Sequence, residues 1–244
     1  MRQPPGQTNL VERVYSRLLD TICSGGLEPG TRLTQEWLAE RLNVSRQPVG
    51  QALTLLKSQG FVCEVGRRGL MVAPVDPAFV ESIYAVRGAL DQLAAQSAAR
   101  KCDDRAKARH ATTQGKRIIA NGRKALASKS ISDLIVADIE FHSFVYELSG
   151  NPVIGETMDL LWNRLRRVMS AYLTHIDWAS DTWKEHSGIL DAILAGDAET
   201  AKRLASAHAD TAIHLLQQEF SAGDSTRDLG LAPISRASSL IGHT

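Results

Sequence analysis

Apolar residues recur three to four positions apart from the start of the chain, the spacing of an amphipathic helix. Leu10, Val14, Leu18 and Ile22 form the first such stripe, which stops at Gly25-Gly26. Leu27-Glu28-Pro29-Gly30 reads as a turn. Thr34 is placed to cap a short second helix carrying Leu38 and Leu42, with Asn43 closing it. Ser45 is placed to cap a third, with Val49, Ala52, Leu53 and Leu56 on one face as far as Gly60. The period then changes. Residues 61–65 and 70–73 are short β-prone runs around Gly66-Arg67-Arg68-Gly69, which predicts a hairpin.

Pro74 to Pro77 reads as a linker, and beyond it the β signal disappears. The pattern predicts helices near 77–99, 104–126, 130–149, 153–175, 179–195 and 197–220, with breaks at Gly150-Asn151-Pro152 and Gly196-Asp197. Residues 221–244 are rich in Ser, Gly and Thr without a period and read as a disordered tail. The expected fold is mainly α: a small helix-and-hairpin domain over 1–75 and an all-α bundle of about six helices over 76–220.

Composition changes this picture little. A chain of 244 residues with 43% apolar and 23% charged residues has material for two packed domains. No apolar run approaches the roughly 18 residues of a membrane span. Met1 to Thr8 is polar and lacks the pattern of a secretory signal, and three scattered cysteines suit a reducing compartment, so the expected location is the cytoplasm. The net charge of +1 is unevenly spread: residues 1–75 carry nine Lys/Arg against six Asp/Glu. That sign suits a nucleic-acid-binding front end.

Two helices joined at Asn43-Val44, the second opening at Ser45, match a helix-turn-helix, in which the start of the second helix enters the major groove. Ser45, Arg46 and Gln47 are the residues placed there, able to reach a phosphate, a guanine and an adenine. Arg67 and Arg68 tip the hairpin, within reach of the backbone or a minor groove. The bland alternative is a generic small helical domain with a solvated hairpin. The stretch from Gly25 to Pro74 resembles the winged-helix domain of the GntR family of regulators. The Leu-x-Pro-Gly turn, Leu-Ala-x-x-Leu-x-Val-Ser-Arg, Pro-Val, Ala-Leu-x-x-Leu and the wing Arg-Gly carry that resemblance. One departure stands out: where the family has Arg-Glu-Ala-Leu, this chain has Gly50-Gln51-Ala52-Leu53.

The second half places polar side chains on apolar stripes. Asp138 and His142, four apart, share a face with Leu134, Ile135, Phe141 and Val145. His186 falls in line with Trp183, Leu190 and Ile193, and His208 with Ala201, Leu204, Ala205 and Ala212. One such histidine is more often a satisfied core residue. One Asp and three His converging from three helices form a donor set for Zn²⁺, Ni²⁺ or Mn²⁺. His110, His175, His214 and His243 read as structural or solvated. Arg87, drawn on a stripe with Phe79, Ile83, Val86, Leu90 and Ala94, needs an anion, either Asp91 or a bound carboxylate. Arg164 is a weaker candidate of the same kind.

Residues 78–218 resemble the all-helical FCD ligand-binding domain of the FadR subgroup. The resemblance rests on Val86-Arg87 with Asp91, Asp138-x-x-Phe141-His142, Ser149-Gly150-Asn151-Pro152, Glu185-His186, Gly196-Asp197 and Ala207-His208. It implies a divalent metal on Asp138, His142, His186 and His208 beneath a pocket for small carboxylates, with an arginine gripping the ligand. Together the two halves imply a homodimeric DNA-binding transcription regulator, expected to be a repressor of an operator in double-stranded DNA. The alternatives are a metal-dependent helical enzyme acting on a small carboxylate and a regulator whose DNA contact Gly50 has weakened.

Overall fold

The computed structural model describes residues 5–67, 69–102, 105–172 and 177–224. It is mainly helical, and its contacts divide it into two compact units meeting between Val75 and Asp76.

The first unit contains α1 (Pro5–Cys23), β1 (Arg32–Leu33), α2 (Gln35–Leu42), α3 (Arg46–Ser58), β2 (Val62–Val65) and β3 (Gly69–Val72). Val14, Leu18 and Ile22 of α1 are buried against Leu38, Val49, Leu53 and Leu56 of α2 and α3. Thr34 caps α2 by accepting from Trp37 N at 3.2 Å, and Asn43 ends it in the left-handed region at φ 53°. Ser45 sits at the N-cap of α3 but makes no side-chain capping bond, a correction to its expected double role. The sheet is antiparallel in the order β1-β3-β2, with Arg32 opposite Met71 and Val65 opposite Gly69. Gly69 therefore belongs to the ladder rather than the loop. A Cβ there would stand 2.7 Å from Val65 O, so the pairing requires glycine. β1 is too short for a periodic signal and was not expected from the pattern.

The second unit contains α4 (Pro77–Lys101), α5 (Arg105–Ser128), α6 (Ile131–Ser149), α7 (Pro152–Asp159), α8 (Trp162–Tyr172), α9 (Asp177–Leu194) and α10 (Ala198–Asp224). α4 packs on α6 and α10, α5 on α6 and α9, and α9 on α10. Ser130 caps α6 by accepting from Asp133 N, and Gly150 closes it at φ 61°. Asn151 then accepts from Val153 N and Pro152 opens α7.

Three expectations are corrected. The single helix near 153–175 is two helices, parted at Leu160 and Leu161. No Gly or Pro marks that break; the turn buries Met158 before it and Trp162 and Leu165 after it, leaving Leu160 77% exposed. On α4, Phe79 and Val86 face outward, while Val80, Ile83, Tyr84, Arg87 and Asp91 form the buried face. The expected tail begins within α10, which runs to Asp224; residues 225–244 lie outside the described residues.

α5 and α9 approach closely at Gly122, where a Cβ would overlap the buried ring of Trp183. Gly122→Ala is expected to lower stability by roughly 1–3 kcal/mol through this overlap, against a helix-propensity gain of up to about 1 kcal/mol. A lowered urea midpoint checks it; an unchanged or raised midpoint shows that Trp183 moves aside freely.

Candidate metal centre and nucleic-acid interface

α2, its turn and α3 bring three of the sequence-selected polar residues to one exposed helix start. Ser45, Arg46 and Gln47 are exposed, while Pro48 and Val49 behind them are buried and seat α3. Arg46 is ion-paired with Glu36 of α2, an acidic neighbour that helical spacing within α3 could not reveal. One turn on, the site of a Cβ on Gly50 lies 3.2 Å from the exposed Gln35 carboxamide. Arg67 is exposed at the hairpin tip, and Arg68 lies outside the described residues.

The second unit holds the buried cluster. Asp138, His142, His186 and His208 are each 7% exposed or less, and one donor atom from each lies within 4.8 Å of all the others. Asp138 and His142 meet because they are one turn apart on α6; α9 brings His186 and α10 brings His208. His186 Nε2 stands 3.2 Å from His208 Nε2 and 3.5 Å from Asp138 Oδ1, and His142 Nε2 is 3.8 Å from the same oxygen. Stacking on Phe141 at 4.1 Å and an edge contact from Trp183 at 4.8 Å orient the His186 ring.

Each of two outer nitrogens faces a carboxylate. His208 Nδ1 lies 2.8 Å from Glu185 Oε2, and His142 Nδ1 lies 3.4 Å from Asp91 Oδ1. Those carboxylates favour the proton on Nδ1 and leave the Nε2 lone pairs turned inward. Burial above all, with the Arg87 charge adding to it, pushes both His142 and His186 below the ordinary imidazole value, so both favour the neutral form. His186 Nδ1 is buried and has no hydrogen-bond partner among the described residues.

This donor set fits a divalent ion. With bonds of about 2.0–2.1 Å, neighbouring tetrahedral donors stand roughly 3.3 Å apart. Three of the separations, 3.2–3.8 Å, straddle that value, and no pair of donors in the set is more than 4.8 Å apart.

Arg87 lies inside this cluster, paired with Asp91. Its Nε is 3.3 Å from Asp91 Oδ2, one turn along α4, and its NH2 nitrogen donates to His142 Nε2 at 2.6 Å. Burial opposes its charge, and the Asp138 and Asp91 carboxylates outweigh that, holding Arg87 above its ordinary value. Burial likewise works to raise Asp91. The His142 ring, the guanidinium and the Tyr146 hydroxyl, which donates to Asp91 Oδ1 at 2.5 Å, hold it well below the usual carboxylate range. Burial pushes the Tyr84 hydroxyl up to about 12, so it stays protonated.

A cavity of about 30 Å³ opens beside the cluster, with Tyr84, Arg87, Asp138, Thr182, His208 and Thr211 among its lining. Arg164 is not brought to it; its guanidinium carbon stands 4.9 Å over the Phe79 ring. His214 is exposed and pairs with Gln218. The His110 side chain, His175 and His243 lie outside the described residues. Residue patterns missed the roles of Tyr146 and Trp162. Glu185 was visible only as the neighbour of His186, although a carboxylate beside a buried histidine is a signal to look for.

Two family matches cover the chain in succession: "Bacterial regulatory proteins, gntR family" over residues 10–72 and "FCD domain" over residues 82–211. The HTH-type transcriptional repressor RspR of Escherichia coli (strain K12) is 24% identical over 197 residues, 81% of this chain and 84% of that protein. A putative L-lactate dehydrogenase operon regulatory protein of the same strain is 27% identical over 237 residues, 86% of this chain and 87% of that one. A putative transcriptional regulator GntR from Rhodococcus sp. RHA1 shares the fold with a TM-score of 0.71 and 23% identity, covering 85% of this chain and 97% of that chain. These relatives are named as regulators, which sets aside the metalloenzyme reading. Among the described residues no helix is long and apolar enough to cross a membrane. With a helix-turn-helix and wing joined to a helical unit around a buried Asp/His cluster, the chain belongs to the GntR family of DNA-binding transcription regulators that carry an FCD domain.

Proposed function

We propose that this regulator is a homodimeric repressor whose operator binding responds to a small carboxylate held beside a divalent metal in the helical unit. The convergence of Asp138, His142, His186 and His208 in a buried core carries this reading. A metal bound there supplies a fixed positive charge that attracts and orients an anion. Arg87 is the protein's own cation at the cavity and grips the same anion. One relative is named as a repressor and another for a lactate dehydrogenase operon, which favours repression and a hydroxy acid or a similar acid. A C2 dimer supplies two reading helices for two DNA half-sites. Phe79, Val86 and Leu93, seven apart on α4 and 43–48% exposed, offer an apolar seam for the second copy.

Elemental analysis after metal-supplemented expression is the direct test. Wild type is expected to retain about one equivalent of metal, and His142→Ala to lose both the metal and the response of DNA binding to acids. Metal-free wild type that still responds to acids would overturn this.

Ser45, Arg46, Gln47, Arg67 and Arg68 are the proposed DNA contacts. Because Glu36 holds Arg46 in the free protein, the two substitutions act in opposite directions. Arg46→Ala is expected to cost roughly 1–3 kcal/mol of operator binding. Glu36→Ala removes an exposed pair worth about 0.2–1 kcal/mol and should tighten binding at low salt by a corresponding few-fold. Titrations of labelled operator at two salt concentrations check both, and weaker binding by Glu36→Ala would show that the pair positions Arg46 for the groove.

The depressed histidines also set a pH dependence for the metal-free protein. Unfolded imidazoles protonate near about 6.5, while His142 and His186 in the fold do so only at lower pH. Below about 6.5 the unfolded chain therefore binds more protons, and stability falls with falling pH until the folded values are reached. The loss is up to about 1.4 kcal/mol per pH unit for each histidine. Urea midpoints of the metal-free protein should fall between pH 7.5 and 5.5, with a shallower fall in His186→Phe, and a flat wild-type profile would contradict this.

A further inference from the structure

The nitrogen that Arg87 contacts is one the metal cluster needs. His142 Nε2 faces Asp138 Oδ1 at 3.8 Å as part of the inward donor set, and it also accepts from the Arg87 NH2 nitrogen at 2.6 Å. An imidazole nitrogen has one lone pair, which cannot serve an N–H donor and a coordinated ion together. We infer that Arg87 and a divalent ion exclude each other at His142 Nε2, and that loading the cluster frees the outer nitrogens of Arg87 to hold an anion in the adjoining cavity. The inference rests on the proposed reading of the cluster as a metal site.

The surroundings of Arg87 allow a short swing of that kind. Its Nε keeps a partner on its own helix, Asp91 at 3.3 Å, and the pairing of its NH2 nitrogen with Asp138 Oδ2 at 3.5 Å would pass to the ion, so the side chain can pivot without leaving a buried carboxylate unpaired. The rings of Tyr84 and Trp162, with the guanidinium carbon 5.5 and 5.7 Å from their centroids, flank it on the way. Arg87 already lines the cavity together with Thr182, His208 and Thr211. Formal charge gives the order of events. Asp91, Asp138 and Glu185 against Arg87 leave two net negative charges, which favours a cation and repels a carboxylate. A divalent ion neutralises them and removes that repulsion. The anion site is therefore assembled by the metal, and Arg87 acts first as an internal competitor and then as a ligand contact.

The test titrates the metal-free full chain with Co²⁺, read by visible absorption, and then with acetate, in wild type, Arg87→Gln and Arg87→Lys. Circular dichroism establishes that each variant is folded. Arg87→Gln is expected to bind Co²⁺ about tenfold more tightly than wild type. Arg87→Lys, shorter but still charged, should fall between them and serves if the glutamine variant does not fold. Acetate should perturb the spectrum of Co²⁺-loaded wild type, give no heat of binding with metal-free wild type, and require at least about tenfold more ligand with Co²⁺-loaded Arg87→Gln. Equal or weaker Co²⁺ binding by the folded variants overturns the exclusion while leaving the metal site in place. Acetate binding unaffected by Arg87→Gln overturns the second role. Failure of all three proteins to bind Co²⁺ overturns the metal reading and this inference with it.

Discussion

Two carboxylates and a guanidinium lie almost wholly out of water in the helical unit: Asp91, Asp138 and Arg87 are 3–7% exposed. In that environment an unpaired charge costs several kcal/mol, whereas a matched set is tolerated. The core around them sets both carboxylates against the one guanidinium, leaving a negative excess that a cation would balance. α4 presents Arg87 and Asp91 one turn apart, α6 delivers Asp138 and His142 against them, and α9 and α10 close the set with His186 and His208. The break between α7 and α8 belongs to the same constraint, because it lets Trp162 pack beside both His142 and Arg87.

The first unit meets a different demand. Its apolar core of α1, α2, α3 and the small sheet is compact, and the chemistry sits outside it on a helix start and a hairpin tip. Burying Pro48 and Val49 fixes the attitude of α3, so Arg46 and Gln47 are presented by a rigid element rather than a loop. The Glu36–Arg46 pair partly neutralises the cation at that helix start, and under the proposed reading a phosphate or base would compete for it. Gly50 takes a related place, leaving room for Gln35 against α3 where the family has an arginine.

The helical unit joins two kinds of polar burial. One is structural, as in Tyr146 donating to Asp91 and Lys101 donating to Ser149 O. The other lacks a partner among the described residues, as at His186 Nδ1. A buried polar group of the second kind is one that a bound ligand would satisfy.

Much of this organisation was legible along the chain, because short-range geometry determines it. Four-residue spacing puts Asp138 and His142 on one face, and apolar stripes locate His186 and His208 inside. Thr34 and Asn43 mark the ends of α2 by their capping chemistry, and the turn, Ser-Arg helix and wing mark the DNA-binding unit. Other features depended on which elements meet. α4 is apolar on more than one side, so periodicity could not say that Phe79 and Val86 face out while Arg87 faces in. Arg164 stacks on Phe79 because α8 begins after an unmarked break, and Glu36 reaches Arg46 only across the turn between helices. The contact of Arg87 with His142 joins side chains 55 residues apart. Periodicity acts within one helix, so the sequence determined which residues share a face. Only the packing of α4 against α6 decided that one nitrogen of His142 would face both an arginine and the rest of the Asp/His cluster.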